Sequence, residues 1–139
     1  MRIVLDTSCV VAALRSPAGA SATLLRAARK ERLTLLVSVP LAIEYEAVCS
    51  RAEHRTAAGL DEEEVRIFLD ALIAMAEPVE PHYLWRPQLR DAADEMVLEA
   101  AANGRADAIV TFNIGDFGSA PRMFGIAVLL PSDALKRMG

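Results

Sequence analysis

Short apolar runs, mostly unbroken and each followed by a helix-length segment, restrict the folds open to this chain more than any other feature. Arg2–Leu5 is such a run and ends at Asp6. Leu33–Val37, Ala106–Thr111 and Ile126–Leu130 are others, and Pro78–Pro81 has room for a brief additional strand. Between them lie helix candidates: Cys9–Leu14; Ala20–Glu31, basic towards its end; Pro40 to about Arg51; Asp61 to about Met75, with acids clustered in its first turn; Asp91–Asn103, ended by Gly104; and a short last helix from near Ser132. Proline is tolerated in a first helical turn, and acids there suit the helix dipole. Strands that are apolar on both faces must be covered on both faces. The alternation therefore predicts an α/β fold, a three-layer α/β/α sandwich around a mostly parallel sheet of about five strands. In such sheets ligands bind beyond the carboxyl ends of the strands, where strand order reverses. Asp6 follows the first strand, and Asn113 and Asp116 follow the fourth.

A chain of 139 residues fits one domain, 1–139, with one sizeable core. With 53% hydrophobic and 24% charged residues, the composition excludes a disordered chain. No apolar run approaches the roughly 20 residues that span a bilayer, and an acid at residue 6 interrupts what a signal peptide would need. A cytoplasmic location with no membrane partner is the expectation. Cys9 and Cys49 belong to no C-x-x-C pair, so they read as buried free thiols, and two Cys with two His do not make a structural zinc site. The net charge of −4 is unevenly spread. Residues 1–60 carry eight Lys/Arg against five Asp/Glu, and residues 61–139 carry seven against fourteen. An acidic sum can thus hide a basic surface beside a pocket of carboxylates.

Each acid has a bland reading. Asp6-Thr7-Ser8 suits a helix N-cap, yet a carboxylate directly after a buried strand is costly unless it meets donors or a cation. Glu44 lies on the edge of the stripe formed by Leu41, Tyr45 and Val48, while Glu46 points away. Asp91 and Asp94 open a helix in D-x-x-D spacing that resembles a capping box. Glu95 and Glu99 read as solvated, as does the Asp61–Glu64 run. Asn113, Gly115 and Asp116 are turn residues. Gathered at one sheet edge, however, Asp6, Glu44, Asp94 and Asp116 would repel one another without a cation. Hard oxygen donors without His or Cys favour Mg²⁺ or Mn²⁺. An ion held this way activates water and stabilises charge on a phosphodiester. Setting four acids aside leaves as many acids as there are Lys and Arg, 15 of each, so polyanion binding is not excluded.

Four segments in order, MRIVLDTSCVVAALRSPAGASATLL, LLVSVPLAIEYEAVCSR, RDAADEMVLEAAANGRADAIVTFNIGDF and the closing strand with Pro131-Ser132, resemble a PIN-domain protein over nearly the whole chain. The likeness is closest to the predicted toxin components of bacterial toxin–antitoxin pairs. The resemblance implies a metal-dependent endoribonuclease, dimeric, acting on RNA and held by a cognate antitoxin. It carries the metal-site and catalytic roles to Asp6, Glu44, Asp94 and Asp116, with Thr7, Ser8, Thr111 and Asn113 around them. Ser8 stands where the family commonly has Asn, Ala92-Ala93 replaces a more acidic stretch, and Asn113 replaces an Asp of many relatives. Asp94 is preferred over Asp91 because Val97, Leu98 and Ala101 then fall where members of the resembling family have their apolar helix face.

Substrate contact is assigned to Arg15, Arg51 and Arg55, part of the positive excess of the first 60 residues that also includes Arg26, Arg29, Lys30, Arg32 and His54. Aromatic residues are only 5%, little material for base stacking. His54 and His82 have no neighbouring nucleophile for a covalent route. A receiver domain would need an acidic pair after the first strand, and a haloacid dehalogenase-type phosphatase would need D-x-D where residue 8 is Ser. The remaining alternative is a PIN-like RNA- or protein-binding module whose metal site is impaired.

Overall fold

Ile3, Val4 and Leu5 are buried, as an uninterrupted apolar run requires, and they form the middle of the sheet. The computed structural model describes residues 1–80, 89 and 91–138. Strands β1 (Arg2–Leu5), β2 (Thr34–Ser38), β3 (Glu77–Val79), β4 (Ala108–Val110) and β5 (Ala127–Leu129) pair in the order β3-β2-β1-β4-β5, every pair parallel. Helices α1 (Thr7–Arg15) and α2 (Ala20–Arg29) connect β1 to β2; α3 (Val39–Cys49), α4 (Ala52–Ala58) and α5 (Glu62–Met75) connect β2 to β3. Helix α6 (Ala92–Asn103) leads into β4, the short α7 (Ala120–Met123) into β5, and α8 (Pro131–Met138) closes the described chain. The steps β1 to β2 to β3 cross the sheet one way and the return to β4 crosses it the other way. Right-handed crossovers then place α6 on the face opposite α1 and α2, giving three layers. Helix α6 packs on β1, β2 and β4, whereas α1 packs on α2, α3 and α4.

Local chemistry sets the helix starts. The Ser38 hydroxyl accepts the Leu41 N–H at 3.3 Å with Pro40 in the first turn of α3, and Asp61 and Glu64 form a reciprocal capping box at α5. Tyr45, fully buried on α3, donates its hydroxyl to the Leu5 carbonyl, which ties α3 to the carboxyl end of β1. At the opposite edge, Gly104 lets the end of α6 sit close to β2 and β3. A Cβ there would meet the Ala100 carbonyl at 2.9 Å, Val79 Cγ2 at 2.9 Å and Leu36 Cδ1 at 3.0 Å. Arg2 spans the same edge, its guanidinium on both Glu77 oxygens and the Gly104 carbonyl, its N–H on Asp107 at 2.7 Å.

Several details differ from the sequence reading. Helices α4 and α7 were not foreseen; no residue of α4 is buried, so it has no apolar periodicity to read, and α7 is only four residues long. Strand β3 begins at Glu77, and Pro81, where it was expected to end, lies outside the described residues. The expected fourth strand shortens to Ala108–Val110, because Thr111 already turns its side chain to a different partner.

Candidate active site

Strand order reverses between β1 and β4, so the end of β1 and the end of β4 lie side by side. Asp6 occupies the first position, joined to β4 by its N–H on the Val110 carbonyl at 2.9 Å. Thr111 occupies the second and is held by its own N–H on the Leu129 carbonyl at 2.9 Å. Their side chains meet across the switch point, the Thr111 hydroxyl donating to Asp6 Oδ2 at 2.6 Å. The Ser8 hydroxyl donates to the same oxygen at 3.2 Å.

That arrangement removes the bland reading of Asp6. It stands at the N-cap of α1, but its side chain makes no cap hydrogen bond; only its backbone carbonyl takes the Cys9 N–H. The carboxylate is buried and held by two hydroxyls, so its fixed orientation comes from residues 105 and 2 positions away. Hydrogen bonds to a charged group contribute about 1.5–3 kcal/mol each. Thr7, the first residue of α1, is also buried. Beneath it the Cys9 thiol donates to the Val110 carbonyl at 3.4 Å, and burial together with the charge of Asp6 pushes it up to about 12. Cys49 is likewise a buried free thiol, pushed up to about 11 by burial.

The D-x-x-D pair divides its work. Asp91 caps α6, accepting the Ala93 N–H at 2.8 Å, while Asp94 points to a pocket it shares with Asp91 and Asp116. Burial, followed by the charges of Asp6, Asp91 and Asp116, pushes the Asp94 carboxyl up to about 6. Asp116 is exposed on the 3₁₀ turn Ile114–Phe117, anchored by the buried Phe117 and by its N–H on the Asn113 carbonyl at 3.0 Å. The Asn113 N–H in turn is taken by the Thr111 hydroxyl oxygen at 2.9 Å. Three aspartates therefore act on Asp94 at one sheet edge.

Glu44 stands apart. It is half-buried on α3, which packs on both α1 and α6, but it is not among the charges acting on Asp94 and makes no hydrogen bond or ion pair among the described residues. Of the basic residues, Arg15 is exposed in the last turn of α1, at the far end of that helix from Asp6. Arg51 is exposed at the start of α4, and Arg55 is engaged by the Ser50 carbonyl and Glu62. His54 on α4 has Glu53 at 3.8 Å, and His82 lies outside the described residues. The solvated reading of Glu95 and Glu99 is corrected: both are buried, at 4% and 7% exposure, because α6 is covered by the sheet on one side and by α3 and the 3₁₀ turn on others. Glu95 accepts the Leu89 N–H. Asp91 is the member the sequence reading set aside, and the D-x-x-D spacing was the signal for it.

The donors are hard oxygens, which suit a hard divalent cation such as Mg²⁺ or Mn²⁺. The raised Asp94 carboxyl reflects its burial first and then the three negative charges beside it. Among the described residues no three such side chains are already drawn together around one point. The chemistry of the donor set fits a divalent ion.

An α/β/α sandwich with a carboxylate pocket at its switch point is the class of molecule defined by these features. The sequence profile of the PIN domain matches residues 2–115, and the chain belongs to the PIN domain family. Comparison with curated proteins gives no match. Among solved structures the fold is similar to the crystal structure of VapBC2 from Rickettsia felis bound to a DNA fragment from their promoter. The TM-score is 0.66 at 17% identity, covering 92% of this chain and 97% of that one.

Proposed function

We propose that the chain is a metal-dependent endoribonuclease, hydrolysing RNA phosphodiester bonds with Mg²⁺ or Mn²⁺, and that it is the toxin of a toxin–antitoxin pair. The observation that carries this reading is Asp94, half-buried at the switch point and facing the charges of Asp6, Asp91 and Asp116, in a pocket that no Lys or Arg among the described residues lines. Asp6, Asp94 and Asp116 are assigned as ligands, with Glu44 reaching the ion directly or through water from the rim. A divalent ion there supplies an activated water and neutralises charge developing on the phosphate. The chain's own part is positional. Thr111 and Ser8 fix the Asp6 carboxylate, Thr111 also fixes the Asn113 backbone, and Asp94 accepts a proton in the absence of positive charge. Thr7, buried next to Asp6 in the chain, is assigned to the surround of that carboxylate, and Arg15, Arg51 and Arg55 are assigned to RNA phosphates away from the acids.

A cognate antitoxin protein, a homodimeric state and a cytoplasmic location belong to the same proposal. The fold likeness to a VapBC complex and the exposed apolar residues of α3 and α5 (Val39, Ile43, Ile67 and Ile73) support the two partnerships. No single helix among the described residues is long and apolar enough to cross a membrane.

One observation favours the second reading, a PIN-like RNA- or protein-binding module with an impaired metal site: among the described residues no three acids are drawn together around one point. Titration calorimetry with Mn²⁺ separates the two. The nuclease reading expects binding that Asp6→Asn weakens and Asn113→Asp tightens, with RNA cleavage that EDTA abolishes. Cleavage that survives both EDTA and Asp6→Asn overturns it.

A further inference from the structure

Two of the acids assigned to the ion each stand next to a residue that is bonded to the other's neighbour. Asp6 follows Leu5 in the chain, Glu44 precedes Tyr45, and the Tyr45 hydroxyl donates to the Leu5 carbonyl. Tyr45 lies within α3 and Leu5 ends β1, and both are fully buried. A hydroxyl in that position is costly unless it is satisfied, and a phenylalanine ring would fill nearly the same space. The oxygen is therefore accounted for by the bond it makes.

That bond acts on the backbone of Asp6. A trans peptide points its C=O and its N–H to opposite sides. In the Leu5–Asp6 peptide the carbonyl takes the Tyr45 hydroxyl from α3, and the N–H reaches the Val110 carbonyl of β4 at 2.9 Å. The unit that carries the Asp6 side chain is thus held from both flanks, by a helix and by a strand. Thr111 and Ser8 set where the carboxylate points; the two backbone bonds set where it starts. Burial, and after it the charge of Asp6, raise the proton affinity of Tyr45 well above its ordinary range, so the group stays a donor. Glu44 makes no hydrogen bond or ion pair of its own among the described residues, and its place relative to Asp6 comes from helix α3. Apolar packing of α3 on α1 and α6 is non-directional, whereas the Tyr45 bond has a direction and a length.

We infer that Tyr45 is a positioning residue of the metal site, its bond to Leu5 setting the separation of the Asp6 and Glu44 backbones. The inference rests on the metal-dependent reading and adds to it a buried residue that acts only through its two neighbours.

Mn²⁺ titration calorimetry on the full chain, without RNA and well below the melting temperature, tests this. Tyr45→Phe keeps the ring and removes the donor, and Mn²⁺ binding should weaken by about tenfold or more, the scale seen when a group that orients metal ligands is lost. A merely structural Tyr45 would lower the melting temperature and leave the affinity of the folded chain alone, as Gly104→Ala at the opposite edge should. In a Glu44→Gln background the Tyr45→Phe penalty should shrink to within about twofold, because no second carboxylate remains to be spaced. An equal penalty in both backgrounds overturns the inference. Should Tyr45→Phe fail to fold, 3-fluorotyrosine incorporated into the Tyr83→Phe chain labels Tyr45 alone, since the sequence has two tyrosines. Its fluorine resonance should shift on saturation with Mg²⁺, and a resonance that stays in place overturns the inference. Wild-type Mn²⁺ binding that Tyr45→Phe leaves unchanged removes Tyr45 and keeps the metal site. A wild-type chain that binds no Mn²⁺ and cleaves no RNA overturns the metal-dependent reading and the inference with it.

Discussion

At the amino-terminal edge of the sheet, Arg2 engages Glu77 and the Gly104 carbonyl with its guanidinium and Asp107 with its backbone N–H. At the carboxyl edge, one strand length away, Asp94 faces Asp6, Asp91 and Asp116, and its proton affinity rises. The first edge pairs its charges: Arg2 holds the Glu77 carboxyl below the usual carboxylate range through their hydrogen bond. The second gathers charge of one sign and holds the most buried member by two hydroxyls rather than by a cation. A chain that balances charge at one end of a sheet and leaves it unbalanced at the other has reserved the second end for something it does not itself supply. Maintaining the first edge is a matter of packing; maintaining the second is a matter of chemistry.

Four experiments would break or sharpen that contrast. Asp6→Asn keeps an oxygen for Thr111 and Ser8, so the melting temperature should hold while the rate of RNA cleavage falls about 10²-fold or more. A variant that melts early instead would make Asp6 a structural residue. Gly104→Ala acts at the other edge. Its Cβ has backbone and two core side chains at about 3 Å, and overpacking of this kind costs about 1–3 kcal/mol. Thermal unfolding should drop by several degrees, with cleavage per folded molecule unchanged. Asp94→Asn tests the unbalanced charge through pH. Folding raises the Asp94 carboxyl from 3.8 to about 6, so between those values the folded chain keeps a proton that the unfolded chain has lost. Ionising Asp94 as pH rises through that window therefore costs stability in the metal-free protein. The variant's advantage in midpoint should grow from pH 4 to about 6 and then level off, and saturating Mn²⁺ should cancel it. The smallest effect is expected for Glu77→Gln. An exposed ion pair contributes little, so the melting temperature should move by no more than about 2 °C, and less in high salt.

The sequence made the sheet legible because β1, β2, β4 and β5 are apolar runs with no second use, and helices α3, α5 and α6 announce their starts with Pro40, Asp61 and Asp91. It could not decide between cap and ligand for Asp6, since the residue that settles the matter, Thr111, is 105 positions away. Asp91 and Asp94 were ambiguous for the opposite reason: both fit the same local motif, and only the direction of each side chain separates them. Glu95 and Glu99 misled because a helix covered on more than one side has no polar face to predict from. Helix α4, with nothing buried, left no periodic trace.

The hydrogen bond between Thr111 and Asp6 also fixes when the site can exist. Closing a contact across most of the chain is slow in folding terms, since loop entropy must be spent before the contact returns anything. During synthesis β1 emerges first and must wait, its central position beside β4 unfilled, until β4 has left the ribosome. A chain stopped just before Thr111 has the neighbour strand but lacks the hydroxyl that orients Asp6, and Asp116. Premature termination or proteolysis upstream of that point therefore yields fragments with no assembled carboxylate pocket, and the capacity for chemistry arrives with the segment from Thr111 to Asp116 rather than accumulating along the chain.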